Sequence, residues 1–522
     1  MSTLLHAVAD LSPAQRAVLE QRLKQKRASA VQARIPRHSR EGNSFVLSFA
    51  QQRLWFLHRL APGSNAYNIP NALHAKGPLN LKALEQSIDE IRHRHEVLRT
   101  TFAVHEGQSM QIVGPAQAEE LPLVDLSGIP QPDQETVARQ LIEEESNRPF
   151  NLASETALRV TLLRLSADEH IILFTMHHIA SDSWSMGVLV RELGTLYKAF
   201  SEGKPSPLPE LPIQYADFAV WQRQWLQGDE LENQQNYWMR QLAGMPSSIE
   251  LPVDRPRPAK ETHRGAIHSI RLSKDLSTKL QMLSRKQGVT LFMTILAAFK
   301  LLLHYLTNQD DIVVGTDVAN RGRVETENLI GFFVNQLVLR TQISSDLTFE
   351  QLLARVRDVT LEAYANQDLP FEKVVEILNP DRSLTHAPLF QVKLILNHAA
   401  TEGLALPPLE LKLLNPERAT AQLDITFPLW ETSDGIGGWM NYNTDLFDEA
   451  TMARLGRLFE KLLDAVVQQP LAMVNELKSI LAEETRREQV ESEKQFAQSS
   501  RLRLTQARRK PVVTSMREAA LP

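Results

Sequence analysis

The sequence predicts an α/β protein built as two lobes, and three observations lead there. The chain has 522 residues, more than one ordinary core accommodates. Strand-like apolar runs alternate with helix-like runs of 3.6-residue period in both halves. Between the halves lies "EGKPSPLPELP", a proline-rich connector. The halves are alike in element content, although no sequence repeat is visible.

Composition narrows the function. Apolar residues make up 43% and charged residues 23%, as in ordinary soluble globular proteins. A net charge of −5 gives no electrostatic case for a nucleic-acid partner. The absence of cysteine removes disulfides, thiolate metal ligands and cysteine nucleophiles together. The N-terminal "MSTLLHAVADLSPAQ" lacks the basic region and apolar core of a secretory signal. The longest apolar stretch, "LFMTILAAFKLLLHYL", is interrupted by Lys300 and His304. It is too short to span a bilayer and reads as a buried core helix. A soluble cytoplasmic protein with no membrane partner is expected.

In chain order, Ser12 and Gln15 form a capping box around Pro13, predicting a short helix. "RIPRHSREGNS" follows as a turn-prone linker, so residues 1–43 are expected to lie outside the main fold. Residues 44–215 form the first lobe. There Asn80 is placed to cap a helix running from Leu81 towards Leu98. "ALRVTLLRL" and "HIILFTMHH" read as strands separated by "SADE". Trp184, Val188, Leu189, Leu193, Leu196, Tyr197 and Phe200 then form one helical stripe.

The second lobe, residues 216–470, is expected to hold a long helix at Thr290–Leu306 and the strands "DIVVGTDVA" and "FFVNQLVLRTQI". The helix "FEQLLARVRDVTLEAYANQ", the strands "LFQVKLILNH" and "GIGGWMNYNTDLF" and a helix near Asp448–Gln468 complete it. Residues 471–522 read as a polar tail. An acidic block (Glu483, Glu484, Glu488, Glu491, Glu493) precedes a basic one (Arg501, Arg503, Arg508, Arg509, Lys510), suiting a solvated or docking segment.

Chemistry concentrates in "MHHIASDSWS", where His177 and His178 end a strand and Asp182 opens a helix. Adjacent strand side chains point to opposite faces. The two rings therefore cannot converge on one metal ion: one faces a cleft and the other the interior. Asp182 suits capping, pairing with an arginine, or ligation. Taken alone, the stretch also fits two structural histidines and a capping aspartate. There is no phosphate loop, nucleophile elbow or dinucleotide fingerprint. For an enzyme, histidine acid–base chemistry is the leading option.

The same stretch resembles the HHxxxDG signature of the condensation domains of nonribosomal peptide synthetases. "LSFAQQRLWFL", "RHEVLRTTF", "YADFAVW", "IGFFVNQLVLR", "NQDLPFE" and "DRSLTHAPLFQV" are similar to that family's other motifs, in order, over roughly residues 44–470. Three departures stand out. Ser183 replaces the glycine, Gln336 a threonine, and Asn366 and Leu369 a histidine and an aromatic residue.

The resemblance implies two pseudo-symmetric chloramphenicol-acetyltransferase-like lobes in a V, with the active site on the seam. It implies donor and acceptor carrier proteins whose phosphopantetheine arms enter a tunnel, neighbouring synthetase modules as partners, and no cofactor or metal of the domain's own. His178 is expected to be the catalytic histidine, with His177 behind it and a buried Asp182–Arg321 ion pair shaping the site. Ser183 would offer a backbone N–H to the oxyanion. Asn335 and Trp184 are expected near the tunnel, although Asn335 equally suits a strand-end cap and Trp184 the core. Arg94 and Arg99 are expected to be structural.

The implied reaction joins a donor acyl or peptidyl thioester to the amine of an acceptor aminoacyl thioester. A starter variant using a fatty acyl donor, an ester-forming variant, an epimerase and a partner-recruiting relative without catalysis are the alternatives. A cyclising variant would have aspartate in place of the histidine pair. No adenylation or carrier segment is recognised after residue 470, so substrates are expected to arrive on other proteins or other parts of a longer chain.

Overall fold

The computed structural model describes residues 34–259, 262–379, 387–397, 409–414 and 419–508. The expected helix around Ser12–Gln15 and the motif residues 381–386 lie outside these, as do the side chains of the basic block.

The first lobe is built on a five-stranded sheet in the order Glu410–Leu414, Asn68–Lys76, Glu169–His177, Leu158–Ser166, Leu123–Asp125. Only the last pair is parallel. Ile172, Phe174 and Met176 face a core shared with the helices Leu81–Arg94 and Ser183–Ser201. Ile171 and Leu173 face a smaller core with Ala138 of the helix Asp133–Asn147. Burial on both faces is why "HIILFTM" reads as an unbroken apolar run rather than an alternation. The expected helix from Leu81 ends at Arg94, because His95 turns extended; Glu96–Arg99 continues as a 3₁₀ turn. A small sheet, ordered Ser44–Val46, Gln108–Val113, Thr100–His105, completes this half.

The second lobe is a seven-stranded mixed sheet in the order Asn335–Gln342, Asp311–Val318, Val392–Asn397, Ile425–Thr432, Gly435–Asn443, Arg264–Leu272, Ala419–Thr420. Its core surrounds the helix Leu291–Thr307, as the apolar stretch predicts. Lys300 is fully buried there. Its ammonium donates to Leu339 O at 2.6 Å and Thr341 Oγ1 at 2.7 Å, and burial pushes its pKa down to about 7. No single helix among the described residues is long and apolar enough to cross a membrane.

Three expected boundaries shift. Residues 34–43 have no regular structure, yet they are docked rather than outside the fold. Ile35 is buried in the first core, and Arg40 holds the fully buried Asp217 at 2.9 Å and Glu96 at 2.9 Å. The helix Tyr215–Trp225 packs Tyr215 and Phe218 into the first core, and Leu226 is the first of the following residues in the second core. The changeover therefore falls near Leu226 rather than residue 215. Finally, the segment from 471 begins inside the fold. The helix Val474–Arg508 buries Val474, Leu477 and Leu481 against the second core. Lys478 reaches His304 Nε2 at 3.3 Å, and Thr485 meets the Tyr305 hydroxyl at 3.0 Å.

That anchoring sets a truncation limit. A chain ending at Glu488 is expected to remain folded, because it keeps the three apolar anchors and the Arg457–Glu488 ion pair. A chain ending before Val474 loses three buried side chains worth about 1.5–3 kcal/mol each and is expected to be insoluble. Thermal melts of purified truncations check this. A cut before Val474 that leaves the melting temperature unchanged would show that the helix is not part of the core.

Candidate active site

The strand Glu169–His177 delivers the two histidines to the edge of the first lobe. A 3₁₀ turn at His178–Ala180 separates them from the helix Ser183–Ser201. The two rings have different surroundings, and His178 lies past the last residue of the strand. His177 is buried, its ring set edge-on to Phe150 at 5.8 Å and beside Tyr67. Its Nδ1 accepts the Ile179 N–H at 3.1 Å. Burial above all, with His178 nearby, pushes its pKa down to about 3.

His178 is only half-buried, and its ring lies 5.6 Å from that of Phe332. Its backbone N–H donates to Tyr67 O at 2.9 Å. Its Nδ1 lies 3.1 Å from Ser181 O. A carbonyl only accepts, so Nδ1 carries the proton and Nε2 is left with its lone pair. Burial lowers the His178 pKa, against the opposing pull of the Ser181 carbonyl and Asp182. The ring is thus neutral at neutral pH, with Nε2 in the basic form.

Asp182 caps the helix Ser183–Ser201. Its Oδ1 accepts the Ser185 N–H at 2.8 Å and lies 3.2 Å from Arg321 Nη2. Its Oδ2 accepts the Phe333 N–H at 3.0 Å. Both partners of this ion pair are buried, and the expected Asp182–Arg321 pairing is present. Arg321 also donates to Thr326 O, Leu329 O and Ser185 Oγ at 2.5, 2.7 and 2.8 Å, and its guanidinium lies 4.0 Å from the Phe333 ring centroid.

These contacts fasten a loop of the second lobe, residues 319–334, into the first. Leu329, Ile330 and Phe333 belong to the first lobe's core. Ser185 Oγ donates to Gly331 O at 2.7 Å and accepts the Gly331 N–H at 3.0 Å. The Tyr215 hydroxyl donates to Phe332 O at 2.6 Å and meets Ser48 Oγ at 2.9 Å. Gly331 is needed here: a Cβ at this position would overlap the Tyr215 ring.

The remaining expected residues divide. Ser183 opens the helix and is exposed; first-turn N–H groups have no intrahelical acceptor. Trp184 donates its indole N–H to Glu327 O at 2.8 Å, tying the helix to the same loop. Asn335, at the start of the strand Asn335–Gln342, acts as a clasp. Its Nδ2 donates to Gln367 O and Leu369 O at 2.7 and 2.8 Å, and its Oδ1 accepts from the Gln336 and Phe371 N–H groups at 2.9 and 3.0 Å. That uses the whole hydrogen-bonding capacity of the amide. Arg94 pairs with the buried Glu192 at 3.0 Å, and Arg99 binds the Gly114 carbonyl, so both are structural as expected.

Ser185, Tyr215 and Phe332 were not singled out from the sequence. Their only local signal was membership of the stretches already quoted.

Comparison with known proteins places this arrangement. The condensation-domain family profile matches residues 42–488. A linear gramicidin synthase of Brevibacillus parabrevis is 45% identical over 85% of this chain and 6% of its own length. Phosphinothricin tripeptide synthetase PhsC of Streptomyces viridochromogenes is 40% identical over 90% of this chain and 43% of its own. This chain thus spans less than half the length of either relative. The crystal structure of the X-domain from teicoplanin biosynthesis superposes with a TM-score of 0.75 at 29% identity, covering 85% of this chain and 99% of that one. The chain with its histidine pair at the end of Glu169–His177 and its Asp182–Arg321 bridge belongs to the condensation-domain family of nonribosomal peptide synthetases.

Proposed function

We propose that this domain forms an amide bond between two carrier-bound substrates. The donor is an acyl or peptidyl thioester, the acceptor is the amine of an aminoacyl thioester, and both ride on phosphopantetheine arms of partner carrier proteins. The observation that supports this best is the His178 ring: not fully buried, held by Ser181 O through Nδ1, and left with an unprotonated Nε2.

An α-amine with a reference pKa near 8 is partly neutral at cytoplasmic pH. As it attacks the thioester carbonyl, the nitrogen becomes strongly acidic. His178 Nε2 takes that proton, the carbonyl carbon becomes tetrahedral, and collapse breaks the C–S bond, releasing the donor's thiol after protonation. The N–H of Ser183 offers a donor to the oxyanion, and a single lost oxyanion donor costs about 2.7–4 kcal/mol. His177, Asp182 and Arg321 keep the strand end and the helix start in register.

A second reading has one observation in its favour. The teicoplanin X-domain, which shares this fold at 29% identity, has been crystallised in complex with OxyB. A recruiting domain, however, has no use for a histidine poised as a free base. Offering candidate acyl and aminoacyl carriers and weighing the intact carriers by mass spectrometry separates the two. Donor mass transferred to the acceptor supports condensation. Stable binding without transfer across the whole set supports recruitment.

The rate should also have an acidic limb set by His178. Below about pH 8 the rate falls with the neutral fraction of the acceptor amine; because burial lowers the His178 pKa, a second, steeper fall from protonation of Nε2 is expected only below pH 6.5. Single-turnover rates across pH check this. A second limb at or above 6.5, beyond that of the amine, would mean that another group is the base.

A further inference from the structure

We propose that Phe332 is a positioning residue for His178, and that a buried hydrogen-bond chain from Ser48 through Tyr215 fixes where Phe332 stands. That role rests on the condensation reading of the site given above.

The chain has one direction. A tyrosine hydroxyl has a single proton to give. That of Tyr215 goes to Phe332 O at 2.6 Å, because a carbonyl only accepts. The contact with Ser48 Oγ at 2.9 Å is therefore a donation from the serine. Ser48 in turn caps the helix Phe49–Leu60, accepting the Gln51 N–H at 3.1 Å. Tyr215 is fully buried, its ring edge-on to Phe333 at 4.9 Å and 5.6 Å from Phe218. Burial pushes its phenol up, so the proton stays on the oxygen at neutral pH.

The backbone is pinned on both sides of Phe332 as well. Gly331 exchanges two hydrogen bonds with Ser185, and the Phe333 N–H donates to Asp182. The side chains of Ile330 and Phe333 are buried in the first core, whereas that of Phe332 is only partly buried. Three consecutive residues thus have their main chain held, and the side chain of the middle one stands at the edge of the core against His178.

His178 needs such a neighbour. Its ring is tied at Nδ1 to Ser181 O, which is one point, and the terminal torsion of a histidine is otherwise broad. A swing about that torsion would carry Nε2 off line. The Phe332 ring, 5.6 Å away and inclined at 55°, makes a tilted aromatic contact of the favourable kind and blocks the swing. The neighbours of His177, Phe150 and Tyr67, hold the other ring; Phe332 meets the ring that faces the chemistry.

The test uses the whole chain. Phe332→Ala removes the ring, Phe332→Tyr keeps it, and Tyr215→Phe keeps the packing but takes the donor from Phe332 O. One readout is the single-turnover rate of the folded protein. The other is the pair of His178 ring nitrogen signals in protein carrying ¹⁵N-labelled histidine, assigned with His178→Gln. These signals report the tautomer and need no activity.

Phe332→Ala is expected to lower the rate about 10- to 100-fold, the effect of a small misplacement of a reacting group. The acceptor concentration that half-saturates the reaction should change little. The two nitrogen signals should move towards each other, as Ser181 O loses its hold and the Nε2–H tautomer is populated. Phe332→Tyr should restore both readouts, and Tyr215→Phe should give the same changes to a smaller degree. Unchanged nitrogen signals in folded Phe332→Ala would overturn the proposal, as would a Phe332→Tyr protein as slow as Phe332→Ala. Should Phe332→Ala not fold, Tyr215→Phe decides, and unchanged signals there would overturn it. A wild-type protein that transfers no acyl group would sink the condensation reading, while the nitrogen signals still decide whether Phe332 positions the ring.

Discussion

Replacing His178 with alanine is expected to lower the condensation rate by about 10²–10⁴-fold, the usual contribution of a positioned general base. The fold should survive. The ring spends one hydrogen bond on Ser181 O and packs on Phe332, while the strand end is held by backbone bonds such as His178 N–H to Tyr67 O. His177→Ala should behave in the opposite way. It removes a buried ring between Phe150 and Tyr67 and orphans the Ile179 N–H. Its cost appears as a lower melting temperature, with the rate per folded molecule largely kept. Normal turnover in His178→Ala together with loss in a well-folded His177→Ala would reverse the assignment.

Asp182→Ala should damage stability and rate together. Removing the carboxylate leaves Arg321 as an uncompensated buried charge, a change of about 3–5 kcal/mol for a fully buried pair. It also strips the Ser185 and Phe333 N–H groups of their acceptor. Because the loop 319–334 is fastened through the same atoms, Phe332 should drift from His178 and the rate should fall with it. A double variant, Asp182→Ala with Arg321→Met, should recover part of the stability by removing the orphaned charge. Denaturant melts measure both. An unchanged melting temperature with a large rate loss would make Asp182 a direct participant in the reaction.

Much of this was legible in the sequence, for local reasons. The stripe from Trp184 to Phe200 carries a periodicity that packing then uses, and the apolar runs ending in His177 and around Lys300 are continuous because they are buried on all sides. The opposite fates of the two histidines agree with the alternation expected of a strand, although the strand ends at His177 and it is the 3₁₀ turn that orients His178. The pairing of Asp182 with Arg321 came through the family resemblance, because the partners are 139 positions apart and no local pattern links them.

What stayed hidden is non-local in the same sense. Arg40 looked like part of a basic linker, since its partner Asp217 lies 177 positions away. Asn335 looked available to a ligand because nothing in "FFVNQ" shows that its amide is already spent on residues 367–371. Val474, Leu477 and Leu481 were masked by the polar residues around them, although their spacing is helical.

The loop 319–334 and the strand Glu410–Leu414 have a consequence for recombination. Each comes from the second half of the chain, yet one fills the first lobe's core and the other pairs with Asn68–Lys76 as the edge of its sheet. A chimaera cut once in the proline-rich connector would therefore join each parent's first core to the other parent's loop and strand. Such a hybrid mismatches Ser185 with a foreign Gly331 and Ser48 with a foreign Tyr215. Exchanges that respect the packing must move residues 319–334 and 410–414 together with the first lobe, as three inserts rather than one crossover.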